Sequence, residues 1–305
     1  MIPSPQTFDV VPQLRSILDT PAEAVDDQVQ ALQSQIISLN AEIEALRKRD
    51  ETVKFYMQRL DEEMRLAARL QQDFLPKTLP QLGSVHFHAL FRPAGYVSGD
   101  LYDVMRLDES HVGFYMADAV GHGMPAALLT MFIKNALVTK QINPEGYRLL
   151  TAGETMAELN RVLIQQDLSY ATFATAVYGR IDTNTLEMTF ARGGHPNPIL
   201  LGADGSTRTL AADGGLLGIF PEETFSTSTV QLKPGDRLFI FSDGIEVAFS
   251  EDLQSPDAQS WKNEIQKRRK LSGQEIVASL AAHLDSESGS LAPKDDLTLI
   301  VAEVQ

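Results

Sequence analysis

The sequence contains no cysteine, a single tryptophan and no apolar stretch long enough to cross a membrane. Without cysteine, the chain can form neither a disulfide framework nor a thiolate zinc site, and it has no thiol nucleophile. The amino-terminal residues lack the basic segment and apolar core of a signal peptide. Basic residues are few, 26 Lys and Arg against 41 Asp and Glu, which gives a net charge of −15. We therefore predict no nucleic-acid and no membrane partner and expect a soluble, cytoplasmic protein.

A heptad repeat dominates residues 25–75. Apolar residues recur in steps of three and four, with β-branched side chains at a positions and leucine at d positions: Val29, Leu32, Ile36, Leu39, Ile43 and Leu46. This combination favours a parallel two-stranded coiled coil, although a long helix that folds back on its own domain is the alternative. Asp50 occupies an a position and weakens the predicted seam. We predict a homodimer through residues 25–74 and an upstream regulator at the N-terminal helix.

Two further segments flank this helix. Residues 1–24 form an N-terminal segment with a short helix as one interpretation around Phe8–Leu18, and no function is assigned to it. Pro76 and Pro80 end the long helix, because proline cannot continue one, and residues 76–305 are predicted to be a separate C-terminal domain. Hydrophobic residues make up 43% of the chain, as in globular proteins.

Strands outnumber helices in this predicted domain, and most follow one another directly, which indicates an α+β fold. The first three strands are expected to form one meander, and Met124–Lys140, apolar nearly all round, is predicted to be an interior helix. A polar, mobile stretch is expected for Glu251–Leu271, before a helix near Gln274–Leu284. The predicted strands are Val85–Phe91, Ser98–Leu107, Val112–Ala117, Ala171–Ile181, Thr185–Ala191, Ile199–Leu201, Arg237–Ser242 and Leu297–Glu303.

Carboxylates stand at four points where a predicted strand meets a turn. Asp100 follows Gly99, Asp118 ends the apolar run VGFYMA, Asp243 follows FIFS, and the pair Asp295 and Asp296 precedes the last strand. Taken singly, such an aspartate is more often a turn former or a helix cap. All of these positions can converge on one end of a sheet, where carboxylates repel one another unless cations neutralise them. The pattern therefore indicates a centre for two divalent ions with oxygen ligands.

The segments SGDLYD, ADAVGHG, FSDG and KDDLTLIV, in this order, resemble the metal-dependent protein serine/threonine phosphatases of the PPM (type 2C) superfamily. LQQDFLPKTLP, FRPAGYVSGD and GGHPNP resemble its SpoIIE/RsbU branch. The resemblance covers roughly residues 65–303 and implies that residues 76–305 form a PPM/SpoIIE-type phosphatase domain. It implies an α–β–β–α sandwich, here preceded by the predicted coiled-coil helix, with two Mn²⁺ or Mg²⁺ ions at one end.

The same resemblance implies roles for individual residues. Asp118 would bridge the two ions and act through the water between them, and the Ala119 carbonyl would help to bind one ion. Asp100, Asp243 and Asp295 would complete the metal ligands, and Asp296 would support them from outside the ligand set.

Three further residues either depart from the family pattern or have a second interpretation of their role. His122 stands four residues after Asp118, where eukaryotic members have histidine at two, so capping or packing at a helix start is the alternative to a general-acid role. Arg92 is either a phosphate anchor or a surface arginine. His195, in GGHPNP, is interpreted as structural.

The leading hypothesis is a phosphoserine/phosphothreonine protein phosphatase in bacterial partner-switching signalling. By resemblance, its substrate would be a phosphorylated STAS-domain protein, similar to anti-anti-sigma factors. A catalytically silent dimeric scaffold and a metal hydrolase of a small phosphoester are the alternatives. The intact set of acidic positions argues against the scaffold.

Overall fold

The computed structural model describes residues 22–144, 146–167, 172–250, 258–287 and 295–305. The helices in these ranges are α1 (Ala22–Phe74), α2 (Met124–Ala136), α3 (Ala152–Gln165), α4 (Asp243–Ala248), α5 (Ala258–Lys267) and α6 (Gly273–Glu287). The strands are β1 (Val85–Arg92), β2 (Asp100–Arg106), β3 (His111–Ala119), β4 (Lys140–Asn143), β5 (Gly146–Leu149), β6 (Ala174–Asp182), β7 (Glu187–Gly193), β8 (Ile199–Leu201), β9 (Thr207–Thr209), β10 (Ser228–Gln231), β11 (Arg237–Phe241) and β12 (Leu297–Val304). The helix considered around Phe8–Leu18 lies outside the described residues.

The chain divides into two units, residues 1–63 and 64–305, and the boundary falls inside α1. The described part of the first unit is helical, as the heptad repeat predicts. Its a and d side chains are exposed, with Leu32 57% and Ile36 56% accessible. The coiled coil and the predicted boundaries after residues 24 and 75 stay predictions. Among the described residues, no helix is both long and apolar enough to span a bilayer.

Two five-stranded sheets form the second unit. The first sheet has the order β1-β12-β11-β8-β9, and the second has the order β10-β7-β6-β3-β2. All neighbouring strands in both sheets pair antiparallel. Strands β4 and β5 form a separate two-stranded hairpin.

Three apolar clusters fill this unit and define its layers. The first cluster lies between the sheets and includes Phe87, Phe114 and Ile300. The second covers the outer face of the second sheet, where Ile133 of α2 and Met156 of α3 are buried. The third covers the outer face of the first sheet with residues of α5 and α6. These layers form an α–β–β–α sandwich, which confirms the fold class.

The prediction of one meander for the first three strands is wrong. Strand β1 pairs with β12 in the first sheet, whereas β2 pairs with β3 in the second. Residues 93–99 connect the two sheets. Face-to-face sheets lie about 10 Å apart, and seven residues can span that distance, so sequence adjacency does not identify the pairing partner.

Two helix predictions also need correction. The helix predicted for Met124–Lys140 ends at Ala136 and lies on the outer face of the second sheet, where Leu128 is 62% exposed. The stretch Glu251–Leu271, predicted to be polar and mobile, contains α5. The indole of Trp261 is fully buried against the first sheet, together with Ile265 one turn later. This apolar pair at helical spacing stabilises a segment that is polar elsewhere.

Candidate active site

Asp100 and Asp118 face each other across an antiparallel strand pair. Asp100 begins β2, and the register with β3 places it directly opposite Asp118. Opposed residues share one face of a sheet. Tyr102 and Val104, two and four residues after Asp100, belong to the cluster between the sheets, so this face points to the first sheet. Both carboxylates therefore lie at one end of the space between the sheets.

The first sheet brings its own carboxylates to the same end. Strand β11 stops two residues before Asp243, and β12 starts immediately after Asp295 and Asp296. Because β11 and β12 are antiparallel partners, the end of one lies beside the start of the other. A short helix, α4, begins at Asp243.

A hydrogen bond joins the two sheets at this end. The hydroxyl of Thr298 donates to Asp100 Oδ2 at 2.6 Å, and both side chains are buried. Ser242 and Thr298 hold each other in turn: Ser242 N donates to Thr298 O at 3.0 Å, and Thr298 N donates to Ser242 Oγ at 3.1 Å. The acidic residues of both sheets are thereby brought into one cluster.

Burial and mutual repulsion raise the pKa values of three of these carboxyls. Burial raises the pKa of Asp118 to about 7, and the negative charges of Asp243, Asp295 and Asp296 add to the shift. Burial also raises the pKa of Asp100 well above its usual range, with the charge of Asp118 as the next cause. The pKa of Asp295 is raised chiefly by burial. Without added positive charge, the cluster is therefore difficult to ionise fully.

This chemistry fits divalent cations. Hard cations take carboxylate and carbonyl oxygens, and their charge would favour the ionised forms that burial and repulsion oppose. In the described ranges, no three His, Cys, Asp or Glu side chains are placed as a ready ligand set for one ion. The donor types and their electrostatic coupling support a metal centre, and the assignment of individual ligands stays a prediction.

Asp296 fixes the connection that precedes β2. Its Oδ1 accepts a hydrogen bond from Ala94 N at 2.7 Å, and its Oδ2 accepts one from Gly99 N at 2.6 Å. Both oxygens thus hold the backbone of the segment that leads to Asp100, and the supporting role of Asp296 at a metal centre stays a prediction.

Gln71, in the last turns of α1, holds the same connection at Ser98. Its amide bonds both backbone groups of Ser98: Nε2 donates to Ser98 O at 2.7 Å, and Ser98 N donates to Oε1 at 2.8 Å. Ser98 Oγ in turn accepts from Asp100 N at 3.0 Å. The carboxyl end of α1 is therefore part of the scaffold around Asp100.

The remaining candidate residues lie in different surroundings. Ala119, the last residue of β3, is buried and donates its N–H to Gly99 O at 2.9 Å. His122 is exposed in the turn before α2 and lines a cleft with Asp295 and Asp296. Arg92 donates to Asp285 Oδ1 of α6 at 2.7 Å, so its guanidinium is engaged in an ion pair.

Gly244 allows the two acidic segments of the first sheet to lie close to each other. A Cβ atom at this position would lie 2.1 Å from the backbone oxygen of Asp296. We predict that Gly244→Ala lowers the free energy of unfolding by about 1–3 kcal/mol, as overpacking does in cores. Gly95→Ala is the control, because its Cβ would meet only Val97 O at 3.8 Å. Equal thermal unfolding midpoints for Gly244→Ala and the wild type would contradict the close approach.

Sequence reasoning did not identify several residues that shape the site. Thr298, Ser242 and Gln71 position the acidic residues through hydrogen bonds between segments distant in sequence. Ser242 and Thr298 can be found in the segments FSDG and DDLT, but the sequence does not indicate which groups their side chains contact.

Comparisons with known proteins agree with this architecture. The family described as Stage II sporulation protein E (SpoIIE) matches residues 108–305. Phosphoserine phosphatase RsbU of Bacillus subtilis (strain 168) is 30% identical over 254 residues, covering 82% of this chain and 72% of RsbU. Phosphoserine phosphatase RsbP of the same strain is 28% identical over 186 residues, covering 60% of this chain and only 45% of RsbP. The solved SiaA-PP2C domain of Pseudomonas aeruginosa has a TM-score of 0.68 and 18% identity, covering 82% of this chain and 98% of that domain, which shows a shared fold.

Proposed function

Since the chain belongs to the SpoIIE family of PPM-type phosphatases, we propose that it is a metal-dependent protein phosphatase that hydrolyses phosphoserine or phosphothreonine. The observation that carries this proposal is the convergence of Asp100, Asp118, Asp243 and Asp295 at one end of the sandwich, with Thr298 bonding Asp100 across the sheets. Two Mn²⁺ or Mg²⁺ ions bound there would supply positive charge to a phosphoryl group and to water.

The chain's own residues would hold and orient these ions. Asp118 is proposed to contact both, because its charge interacts with acids on two other segments. The Ala119 carbonyl, Asp100, Asp243 and Asp295 are the other proposed ligands. Asp296 and Thr298 would keep the ligands in place, Asp296 through the backbone before β2 and Thr298 through Asp100.

We propose a phosphorylated STAS-domain protein as the substrate and partner switching as the signalling context. Support comes from the resemblance to the RsbU branch and from the relatives RsbU and RsbP, both phosphoserine phosphatases by name. A cytoplasmic location stays a prediction.

The test uses the full chain with Mn²⁺ and three substrates. These are a phosphorylated STAS-domain protein from the same genome, a phosphoserine peptide of unrelated sequence and a nucleoside monophosphate. We expect phosphate release from the STAS protein at the highest rate and little from the nucleotide. A preference for the nucleotide would favour the small-phosphoester hydrolase, and inactivity on all three would favour the scaffold.

We also propose that the first unit dimerises as a parallel coiled coil and that an upstream regulator acts through this helix. The support is the exposed apolar a and d stripe of α1. Burying such a stripe against a second copy removes apolar surface from water, the main driving force of association.

Asp50→Ile provides the test of this coil. In the single chain, Asp50 forms an ion pair with Lys54 on the helix surface, at 2.7 Å. At an a position in a dimer, the carboxylate would lose water, so isoleucine should strengthen the dimer at least about tenfold in dissociation constant. Sedimentation equilibrium measures this. Glu51→Ile, one residue outside the seam, is the control and should change nothing. The same dissociation constant for Asp50→Ile and the wild type would contradict the seam.

A further inference from the structure

A cleft of about 380 Å³ opens beside the acidic cluster. Asp118 and Asp243 form part of its wall, so the cleft is continuous with the proposed catalytic centre. Thr175, Arg192, His195, Asn197 and Lys262 are among the residues that line the rest. None of the family motifs names a residue of this cleft as a contact for the substrate.

Two cationic side chains line the cleft, and they differ in the partners that they already have. The guanidinium of Arg192 is engaged by backbone, since Nη1 donates to His195 O at 2.6 Å and Nε donates to Ala212 O at 3.1 Å. Lys262 on α5 is half-buried, and within the described ranges its ammonium forms no ion pair. Its neighbours on α5 differ, because Glu264 pairs with both Lys267 and Arg268. Glu246 lines the same cleft, but among the described residues no carboxylate forms an ion pair with Lys262, so this ammonium is available for an anion from outside.

One buried polar atom of the cleft, Asn197 Oδ1, also has no hydrogen-bond partner in the described part of the chain. The His195 ring is fully buried, and its Nδ1 lies 2.8 Å from Thr175 Oγ1, next to Asp118 in the sheet. Burial, followed by the charge of Arg192, lowers the pKa of His195 to about 3, so the ring is neutral. A buried polar atom is costly unless it is paired, so Asn197 Oδ1 calls for a donor that the described residues do not supply.

We propose that this cleft binds the phosphorylated segment of the protein substrate, with Lys262 as the residue that contacts its anionic group and Asn197 Oδ1 as an acceptor for a peptide N–H. The anionic group is either the phosphoryl oxygens or a carboxylate next to the phosphorylated residue. This inference rests on the proposed phosphatase function and adds the segment's chemistry: an anionic group together with an amide donor. A phosphorylated peptide segment supplies both.

The experiment compares wild type with Lys262→Met and with Lys267→Met, which removes the same charge from a solvent-exposed position on the same helix. The substrates are p-nitrophenyl phosphate and two phosphoserine peptides, one with acidic and one with alanine neighbours. Loss of a hydrogen-bonded ion contact should raise KM about tenfold for Lys262→Met, with little change for Lys267→Met. Lys262→Arg should restore part of the loss.

The substrates separate the two sources of the anion. A KM increase for all three, with weaker inhibition by inorganic phosphate, would identify the phosphoryl group. An increase confined to the acidic peptide would identify the flanking carboxylate. Unchanged KM on every substrate, in a folded Lys262→Met or Lys262→Gln protein, would overturn the inference. A wild type that hydrolyses no phosphoserine substrate would instead overturn the proposed function.

Discussion

Asp118→Asn is expected to lower the turnover of a phosphoserine substrate at least about a hundredfold and to leave the fold intact. Loss of one preorganised catalytic group already costs about this much in other enzymes. Asp118 lies opposite Asp100 and interacts electrostatically with Asp243 and Asp295, so its side chain stands at the centre of the cluster. Asparagine keeps the size of the side chain and removes the charge that a bound cation requires.

Steady-state kinetics with saturating Mn²⁺ measures the effect, and circular dichroism checks the fold. Asp204→Asn is the matched control, because it makes the same change on the β8–β9 hairpin. His122→Ala should keep measurable activity, since His122 is exposed and is not proposed to hold a metal. Near-normal turnover by a folded Asp118→Asn protein would exclude the proposed centre. If His122→Ala is as inactive as Asp118→Asn, then His122 has a catalytic role that we have not assigned.

Exhaustive chelation should abolish activity, and Mn²⁺ or Mg²⁺ should restore it. The proposed ligands are all oxygens, and such sites bind hard cations reversibly. Inhibitors of the okadaic-acid type should have little effect, as the family resemblance implies. The measurement is the rate of phosphate release after dialysis against EDTA, and again after each metal is added. Activity that survives chelation would indicate a metal-free mechanism.

The Mn²⁺ concentration that restores activity to the metal-free protein should also depend on pH. Burial and neighbouring charges raise the pKa of Asp118 to about 7, so the metal-free carboxyl is mostly protonated below pH 7 and ionised above it. A metal ion must displace that proton, so half-maximal activation should need more Mn²⁺ at pH 6 than at pH 8. A concentration for half-maximal activation that is independent of pH would contradict the coupling between Asp118 and its neighbours.

The acidic positions could be identified in the sequence because each is a local feature. Asp100, Asp118, Asp243 and Asp295 each stand where an apolar run meets a glycine, an alanine or another aspartate. Such boundaries can be read from a few neighbouring residues. The same is true of the heptad repeat and of the end of α1 before Pro76, since periodicity and proline chemistry act over short range.

Contacts between distant segments could not be predicted in this way. Thr298 bonds Asp100 across 198 positions, and Asp296 holds Gly99 across 197. The assignment of β1 to the sheet opposite β2 likewise depends on its pairing with β12, more than 200 residues away in the chain. Local pattern says nothing about which of several similar strands a given strand will join.

For this protein, the sequence by itself determined the family, the acidic positions and the heptad pattern, because chemical type and spacing are properties of the chain. Only the tertiary structure decided that Asp100 faces Asp118, that Gln71 of α1 holds Ser98, and that Lys262 enters the same cleft as Asp118 and Asp243. These relations depend on the register of paired strands and on the packing of helices on the sheets. Register and packing are set by the burial of the whole apolar core, to which residues throughout the chain contribute.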